Sequence, residues 1–307
     1  MRFSVNNKIS KRKQRVLQAL ADFATVILIS SVFLIIFVMV KPFPRGFYCT
    51  DESIRFPYKA DTVPLWAAGL YGVISGAFFV IVSELYLSRP CCANMESFDR
   101  RQNRFILNSI HGVLLYALGA ISTLLITEIG KHTIGRLRPH FIDVCQPNWS
   151  NITCFTEIQG SKIANYVPLT EDLCQGDAAK IKEARLSFPS GHSSFSVYSM
   201  LFVIIYLEAR LVLQRTRFIK SIIQLCAFLA AWHTCMSRVS DFKHHFSDVI
   251  AGAIIGASVA IFVTVISGKK IWYHSKSMRN RLQQVESLEQ IDDDDDEDNR
   301  QETFELP

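Results

Sequence analysis

Six apolar segments recur along the chain, separated by polar stretches of very different length. They cover residues 20–40, 64–87, 105–129, 191–212, 222–236 and 245–267. About 20 apolar helical residues cross the hydrocarbon core of a bilayer, so each segment predicts a transmembrane helix, the fifth being the shortest. The first is too long for the apolar region of a signal peptide, and no small-residue cleavage pattern follows it. The pattern therefore predicts an all-α integral membrane protein with six spans.

Composition agrees with this prediction and adds a charge constraint. Hydrophobic residues make up 49% of the 307 residues, charged residues 20%, and the mean hydropathy is +0.19, which disfavours a water-soluble enzyme. The net charge of +5 combines a more basic body with the acidic run at 292–298. A basic membrane protein favours anionic lipid surfaces or substrates, and no nucleic-acid partner is expected. The acidic run lacks the glycine and spaced ligands of a calcium loop, so we expect a disordered, solvated tail.

Lysine and arginine predict the orientation of the spans. They concentrate in the N-terminal arm, at 88–104, at 213–221 and just after the last span. In a six-span chain these four regions lie on one side, which the positive-inside rule makes cytoplasmic. Both termini are therefore expected in the cytoplasm, and the segments 41–63, 130–190 and 237–244 on the other side.

Two glycosylation sequons fall in the long loop of that other side. They are Asn148-Trp-Ser150 and Asn151-Ile-Thr153. Their placement gives mild support to the predicted topology and makes Asn148 and Asn151 candidate glycosylation sites.

The predicted topology also divides the cysteines among the extracytoplasmic loops, the cytoplasmic side and the fifth span. Four lie in the extracytoplasmic loops, an even number that could form disulfides by any of three pairings; they are Cys49, Cys145, Cys154 and Cys174. Cys91 and Cys92 follow a span on the cytoplasmic side, where free thiols or S-palmitoylation are the two interpretations. Cys226 and Cys235 are interpreted as packing residues of the fifth span.

Ionisable residues are costly near a bilayer, so clusters of them at span ends are candidate functional sites. The first cluster contains Lys131 and Arg138 at the end of the third span. If the helix continues, a separation of seven places both cations on one face, where they suit a dianion. The alternative is that they offset the helix dipole and reach towards lipid headgroups.

The second cluster begins the fourth span with Ser190, Gly191 and His192. Unpaired backbone N–H groups at a helix N-terminus bind phosphate oxygens, and glycine permits their close approach. His192 could donate a proton to a leaving group because its ordinary pKa is near physiological pH. The alternative for Ser190 is a simple N-cap.

The third cluster joins the fifth and sixth spans. His244 and Asp248 are four apart, so on one helix the carboxylate could hold one imidazole nitrogen and leave the other free to attack. Arg238 precedes His244 by six, so residues 239–243 must form a turn if its guanidinium is to clamp phosphate oxygens at the same site.

The pattern K-x6-RP, then PSGH, then SR-x5-H-x3-D resembles the three-part signature of the type 2 phosphatidic acid phosphatase superfamily. The chain is similar within it to the six-span animal lipid phosphate phosphatases, including the Wunen group. The similarity extends through RGFYCTDESI from Arg45, Tyr58-Lys59, GRLRPHFIDVC from Gly135 and RLSFPSGHSSFS from Arg185. It covers about residues 15–270, and all three motifs are intact.

The resemblance implies a role for each candidate residue. His244 would be the nucleophile that forms a phosphohistidine, oriented by Asp248, and His192 the general acid. The phosphate would be held by Lys131, Arg138, Arg238, Ser190 and Gly191. Such enzymes use no cofactor and no divalent metal, and the catalytic site would lie at the extracytoplasmic ends of helices three to six. Homo-oligomerisation is implied by the resemblance alone.

These inferences divide the chain into a cytoplasmic basic arm (1–18), a six-span phosphatase domain (19–270) and a cytoplasmic acidic tail (271–307).

The expected activity is metal-independent hydrolysis of phosphatidate, lysophosphatidate, sphingosine 1-phosphate or ceramide 1-phosphate in lipid signalling. The expected site faces outward at the plasma membrane, or the lumen in the endoplasmic reticulum or Golgi. One alternative is a transferase or soluble-substrate phosphatase of the same superfamily, of glucose 6-phosphatase type. A membrane transporter or lipid-binding protein is the other.

Overall fold

The computed structural model describes residues 2–88, 98–159, 161–170, 172–211 and 217–267. Its helices are α1 (Arg2–Met39), α2 (Leu65–Leu87), α3 (Phe98–Ile134), α4 (Phe141–Cys145), α5 (Ala178–Ala184), α6 (Gly191–Arg210), α7 (Arg217–Ser240) and α8 (Phe246–Ile261). A π-helical turn, Phe262–Ser267, continues α8. Cys91, Cys92 and the acidic tail lie outside the described residues.

Six of these helices, within the described ranges, are long and apolar enough to cross a membrane, which confirms the predicted architecture. They are Val16–Met39, Leu65–Leu87, Phe105–Ile134, Gly191–Arg210, Phe218–Ser240 and Phe246–Val265. The fifth span was predicted too short, because Lys220, Ser237 and Arg238 lower the hydropathy at its ends. Helix α1 runs without interruption from Arg2 to Met39 and so includes residues of the basic arm.

Helix α6 is the centre of the bundle and packs against α2, α3, α7 and α8. Two glycines of α8 allow it to lie directly against α6. A β-carbon on Gly252 would meet the backbone oxygen of Ser190, and one on Gly256 that of Ser194. This glycine-spaced approach of two helix backbones is common between membrane helices. It fixes the start of α6 beside the start of α8.

A buried ion pair joins α2 to α6 inside the bundle. Glu84 accepts hydrogen bonds from the Nε and Nη2 of Arg210, each at 2.6 Å, and from the hydroxyl of Tyr206 at 2.9 Å. Asn108 of α3 donates to the same carboxylate. Opposite charges with their hydrogen bonds satisfied are the arrangement in which ionisable groups persist within a membrane. The pair therefore locks three helices together.

The described residues of 43–64 and 135–190 form a small head subdomain with its own apolar core. Strand β1 (Phe47–Tyr48) pairs with β4 (Tyr166–Val167), and β2 (Phe155–Ile158) pairs with β3 (Ser161–Ala164), both antiparallel. The core contains Phe47, Cys49, Ile54, Leu137, Phe141, Val144, Cys145, Val167, Leu173 and Ala184. The sequence analysis predicted loops here, so the strands are an addition to an otherwise helical fold.

Two disulfides close the head subdomain and select one of the three possible pairings. Cys49 is bonded to Cys154, and Cys145 to Cys174. Cys235 is buried as predicted, whereas Cys226 is exposed on the bundle surface, so the packing role predicted for Cys226 is wrong.

Candidate active site

The N-terminus of α6 lies at the centre of the candidate site. Ser190 is the N-cap, and its side chain accepts a hydrogen bond from the N–H of Ser193. Its own N–H donates to the carbonyl of Asp248 at 3.0 Å, which ties the start of α6 to α8. A β-carbon on Gly191 would lie 3.3 Å from the Nζ of Lys131. The absence of a side chain at Gly191 therefore leaves room for the lysine ammonium beside the first turn of α6.

His244 lies in the turn between α7 and α8 and is 3% exposed. Its Nδ1 is 2.7 Å from the carbonyl oxygen of Ser187. A carbonyl can only accept, so Nδ1 carries the proton and Nε2 keeps its lone pair. Burial, with the nearby cations Arg138 and Lys131, holds the pKa of His244 well below its usual range. The ring is therefore neutral at physiological pH.

The prediction that Asp248 hydrogen-bonds His244 directly is wrong. Their nearest atoms, Nδ1 and Oδ2, are 4.0 Å apart. The physical reason is that α8 begins only at Phe246, so His244 is not on the helix and the four-residue spacing does not align the two side chains. Asp248 instead occupies the third helical position, where its carboxylate accepts from the N–H of His245 at 3.1 Å.

Asp248 is nevertheless linked to the nucleophile candidate through Ser187. The Ser187 hydroxyl donates to Asp248 Oδ2 at 2.6 Å while the carbonyl of the same residue holds His244. Arg136 donates to Asp248 Oδ1 at 2.5 Å. Both Ser187 and Asp248 are fully buried. A buried hydrogen-bond network of this kind holds its members in one geometry.

Arg238 is in the last turn of α7 and is 1% exposed. Its guanidinium donates to Asp61 at 2.7 Å, to Asp241 at 3.1 Å and to the hydroxyl of Ser237. Phe242, with φ of 56°, reverses the chain after the helix. The N–H of His244 can then donate to the carbonyl of Arg238 at 3.2 Å. The predicted turn is present but starts after Ser240, two residues later than expected.

Arg138 reaches the site by a route that the sequence did not predict. Helix α3 ends at Ile134 and Gly135 is left-handed (φ 56°), so Arg138 and Lys131 do not share one helical face. The N–H of Arg138 donates to the carbonyl of Ala184 at 2.8 Å, and its guanidinium pairs with Glu183 at 3.0 Å. The head subdomain, rather than α3, therefore positions this cation.

His192 follows Gly191 on α6, and its Nε2 is a buried nitrogen without a hydrogen-bond partner among the described residues. The charges of Arg238, Asp61, Arg138 and Lys131 all act on its ring. The structure thus brings together the three clusters that the sequence placed at span ends.

Four further residues of the site were missed from the sequence. Glu128 pairs with Lys131 at 2.5 Å, and an acidic residue within an apolar span was a usable signal for it. Arg136 was visible as a third cation inside the first motif. Ser187 and Asp61 had no such signal, because one acts through its backbone carbonyl and the other comes from a distant loop.

Among the described residues, no group of three or more His, Cys, Asp or Glu side chains is placed to hold a metal ion. Metal independence therefore remains a prediction from the resemblance. Asn148 caps a short 3-10 turn of the head subdomain, Trp149–Asn151, and its side chain accepts from the N–H of Ser150; Asn151 is the last residue of the turn and is exposed. Their glycosylation also remains a prediction.

Comparison with known proteins agrees with the resemblance. The PAP2 superfamily matches residues 112–272, a range that includes all three motifs. Phospholipid phosphatase 1 of Rattus norvegicus is 40% identical over 82% of this chain and 86% of its own. Phospholipid phosphatase 2 is 40% identical in Mus musculus (78% of this chain, 82% of its own) and 36% in Homo sapiens (78% and 79%). No solved structure matches the chain.

Proposed function

The chain belongs to the PAP2 superfamily, and we propose from this premise that it is a lipid phosphate phosphatase of the phosphatidate phosphatase type. Its substrates would be phosphatidate, lysophosphatidate, sphingosine 1-phosphate and ceramide 1-phosphate. The observation that carries the proposal is a neutral, oriented His244 within a cluster of cations at the end of a multi-pass helical bundle.

The substrate phosphate would bind where three cations and a helix N-terminus converge. Lys131 and the Ser190–Gly191 backbone would contact one side of the phosphate, and Arg138 and Arg238 the other. Guanidinium groups match the geometry of phosphate oxygens, and dipoles fixed before the reaction stabilise charge that develops in the transition state. Because these groups are largely buried, their attraction for a dianion is screened less than it would be at a surface.

The Nε2 lone pair of His244 would attack phosphorus in line with the leaving oxygen. A nitrogen–phosphorus bond forms as the bond from phosphorus to the lipid oxygen breaks, and His192 gives its proton to that oxygen. The lipid alcohol leaves and His192 is then neutral. It next takes a proton from water, which attacks the phosphohistidine and releases inorganic phosphate. Both histidines return to their starting protonation states.

Asp248 would stabilise the charge that His244 acquires, acting through Ser187 and from 4.0 Å rather than by direct contact. Arg136 and Ser187 would keep its carboxylate in place, as outer partners do for catalytic residues generally.

The distribution of lysine and arginine and the two glycosylation sequons support a proposed orientation of the protein in its membrane. We propose that both termini are cytoplasmic, that Asn148 and Asn151 carry glycans, and that the site faces outward from the plasma membrane or into the lumen of the endoplasmic reticulum or Golgi. Cations after spans two, four and six support this orientation. Homo-oligomerisation stays a prediction.

Phosphate release from phosphatidate in EDTA tests the proposal. The His244→Ala variant should lose the activity, while His111→Ala, an equal change on α3 far from the motifs, should retain it. Lipid uptake by a purified chain that releases no phosphate would contradict the proposal and support the transporter alternative. Activity on glucose 6-phosphate in preference to lipid phosphates would support the soluble-substrate alternative.

A further inference from the structure

A short segment before α2 is held across the turn that carries Arg238 and His244. We call residues 58–62 the strap. The N–H and hydroxyl of Thr62 donate to Asp241 at 2.8 and 2.7 Å. Lys59 donates to the carbonyl of Ser240 at 3.3 Å, and its Nζ lies 4.4 Å from the ring of Phe242. The strap is therefore fixed to the same turn that positions the catalytic candidates.

The strap places a carboxylate against two buried cations. Asp61 Oδ1 lies 2.7 Å from Arg238 Nη1 and 4.0 Å from Lys243 Nζ. Arg238 is 1% and Lys243 3% exposed, whereas the side chain of Asp61 is 36% exposed. Lys243 also lies 3.8 Å from the ring centre of Tyr58, so a second strap residue covers it. The Asp61 carboxylate therefore contacts two buried cations on one side and solvent on the other.

The charge of Asp61 reaches other parts of the proposed phosphate site. It acts on Arg138 and on His192, the groups proposed to hold the phosphate and protonate the leaving oxygen. A phosphate dianion among the same cations would be repelled by this carboxylate and would compete with it for N–H donors.

Arg238 does not depend on Asp61 for its orientation. Ser237 and Asp241, from its own helix and the following turn, already accept from Nε and Nη2. Asp61 takes only Nη1, on the side towards the strap. Because its side chain is partly exposed, Asp61 can return to water at little desolvation cost, unlike a buried carboxylate.

We propose, resting on the proposed function, that Asp61 competes with phosphate for Arg238 and Lys243 and so speeds the release of inorganic phosphate. Lys243, covered by Tyr58, is then a further phosphate-binding residue that becomes available when Asp61 turns outward. The ligand class is inorganic phosphate or the phosphate monoester of a lipid.

The test measures competitive inhibition of lysophosphatidate hydrolysis by inorganic phosphate, using the full chain in mixed micelles. Asp61→Asn should lower the inhibition constant for phosphate by about tenfold and lower KM in the same direction, because one repulsive charge is removed. The matched control is Asp143→Asn. Asp143 accepts from the N–H of Tyr58 at 2.8 Å and is exposed, so the variant makes the same charge change beside the same strap without touching Arg238.

A second variant tests the inference if Asp61→Asn folds poorly. Thr62→Val removes the hydroxyl bond to Asp241 but keeps the carboxylate, and should lower the inhibition constant about twofold by loosening the strap. An unchanged or raised inhibition constant in the folded variants would overturn the inference and make Asp61 only a support for Arg238. A wild-type chain without phosphatase activity would instead overturn the proposed function, so the two failures are distinguishable.

Discussion

The Nδ1 of His244 lies 2.7 Å from the backbone carbonyl of Ser187. This contact fixes the tautomer of the histidine without a carboxylate, and it joins the segment before α6 to the turn before α8. The same serine donates its hydroxyl to Asp248 at 2.6 Å. Ser187 is thus the connection between the proposed nucleophile and the acidic residue of its motif.

Removing the Ser187 hydroxyl should slow catalysis without weakening substrate binding. Ser187→Ala keeps the carbonyl that holds His244 but removes the hydrogen bond that links this segment to Asp248 Oδ2, so we expect kcat to fall about tenfold with KM nearly unchanged. Initial rates over a range of lysophosphatidate concentrations separate the two constants. Ser196→Ala, an equally buried serine on α6, is the control. A large rise in KM at constant kcat would argue that Ser187 shapes the binding site instead.

Arg238 should not tolerate replacement by lysine. The three acceptors around its guanidinium, Asp61, Asp241 and Ser237, require a planar group with several donors. We expect Arg238→Lys to lower kcat/KM by at least about 100-fold while the protein still accumulates in membranes. Arg55→Lys in the head subdomain should have little effect. Comparable loss in both variants would indicate general damage to the fold.

The disulfide pairing predicts a pattern of stabilities. Cys49→Ser and Cys154→Ser should each lower the unfolding temperature, and the double variant should be no worse than either, because one bond is lost in all three. The loss should be about 2–5 kcal/mol, typical of a native disulfide. Cys226→Ser, an exposed thiol, should be neutral. Additive losses from Cys49 and Cys154 would contradict the pairing, which peptide mapping without reduction checks independently.

His140 should make the head subdomain sensitive to acid. Its Nδ1 donates to the carbonyl of Phe242 at 2.7 Å, and burial, together with Arg138 and Lys243, lowers its pKa to about 4. Since the unfolded chain takes up the proton near pH 6.5, stability should fall as pH falls from about 6.5 to about 4, by up to about 1.4 kcal/mol per pH unit.

His140→Asn keeps a donor for that carbonyl and removes the titration. Unfolding temperatures measured between pH 7.5 and 4.5 should therefore decline less steeply in this variant than in the wild type. Equal slopes would show that His140 does not contribute to the acid sensitivity.

The sequence predicted the parts of the fold that depend on local apolar length. All six spans follow from it, and the fifth was predicted short because Lys220 at one end and Ser237 and Arg238 at the other are polar or charged. The structure places Arg238 inside the helix because Asp61 and Asp241 neutralise its charge. Asp241 follows Arg238 by three residues, a spacing at which helical side chains meet, but Asp61 is 177 residues away along the chain and no spacing reveals its pairing.

In the candidate site, too, the sequence predicted which side chains take part but not the contacts between them. The three motifs identified Lys131, His192 and His244, because their chemistry is carried by side chains at span ends. The contact between His244 and Asp248 was misjudged because the start of α8 decides whether four-residue spacing aligns two side chains. The contact between Ser187 and His244 was not predictable, since a backbone carbonyl carries no sequence signal.

The central claim is that His244 forms the covalent intermediate. We propose rapid mixing of the purified chain with phosphatidate labelled in its phosphate, alkaline quenching to preserve phosphohistidine, and peptide mapping by mass spectrometry. The account predicts label on His244 in the wild type, and none in a folded, inactive His244→Ala variant. Label on His192 or His245, or continued phosphate release by His244→Ala, would contradict it.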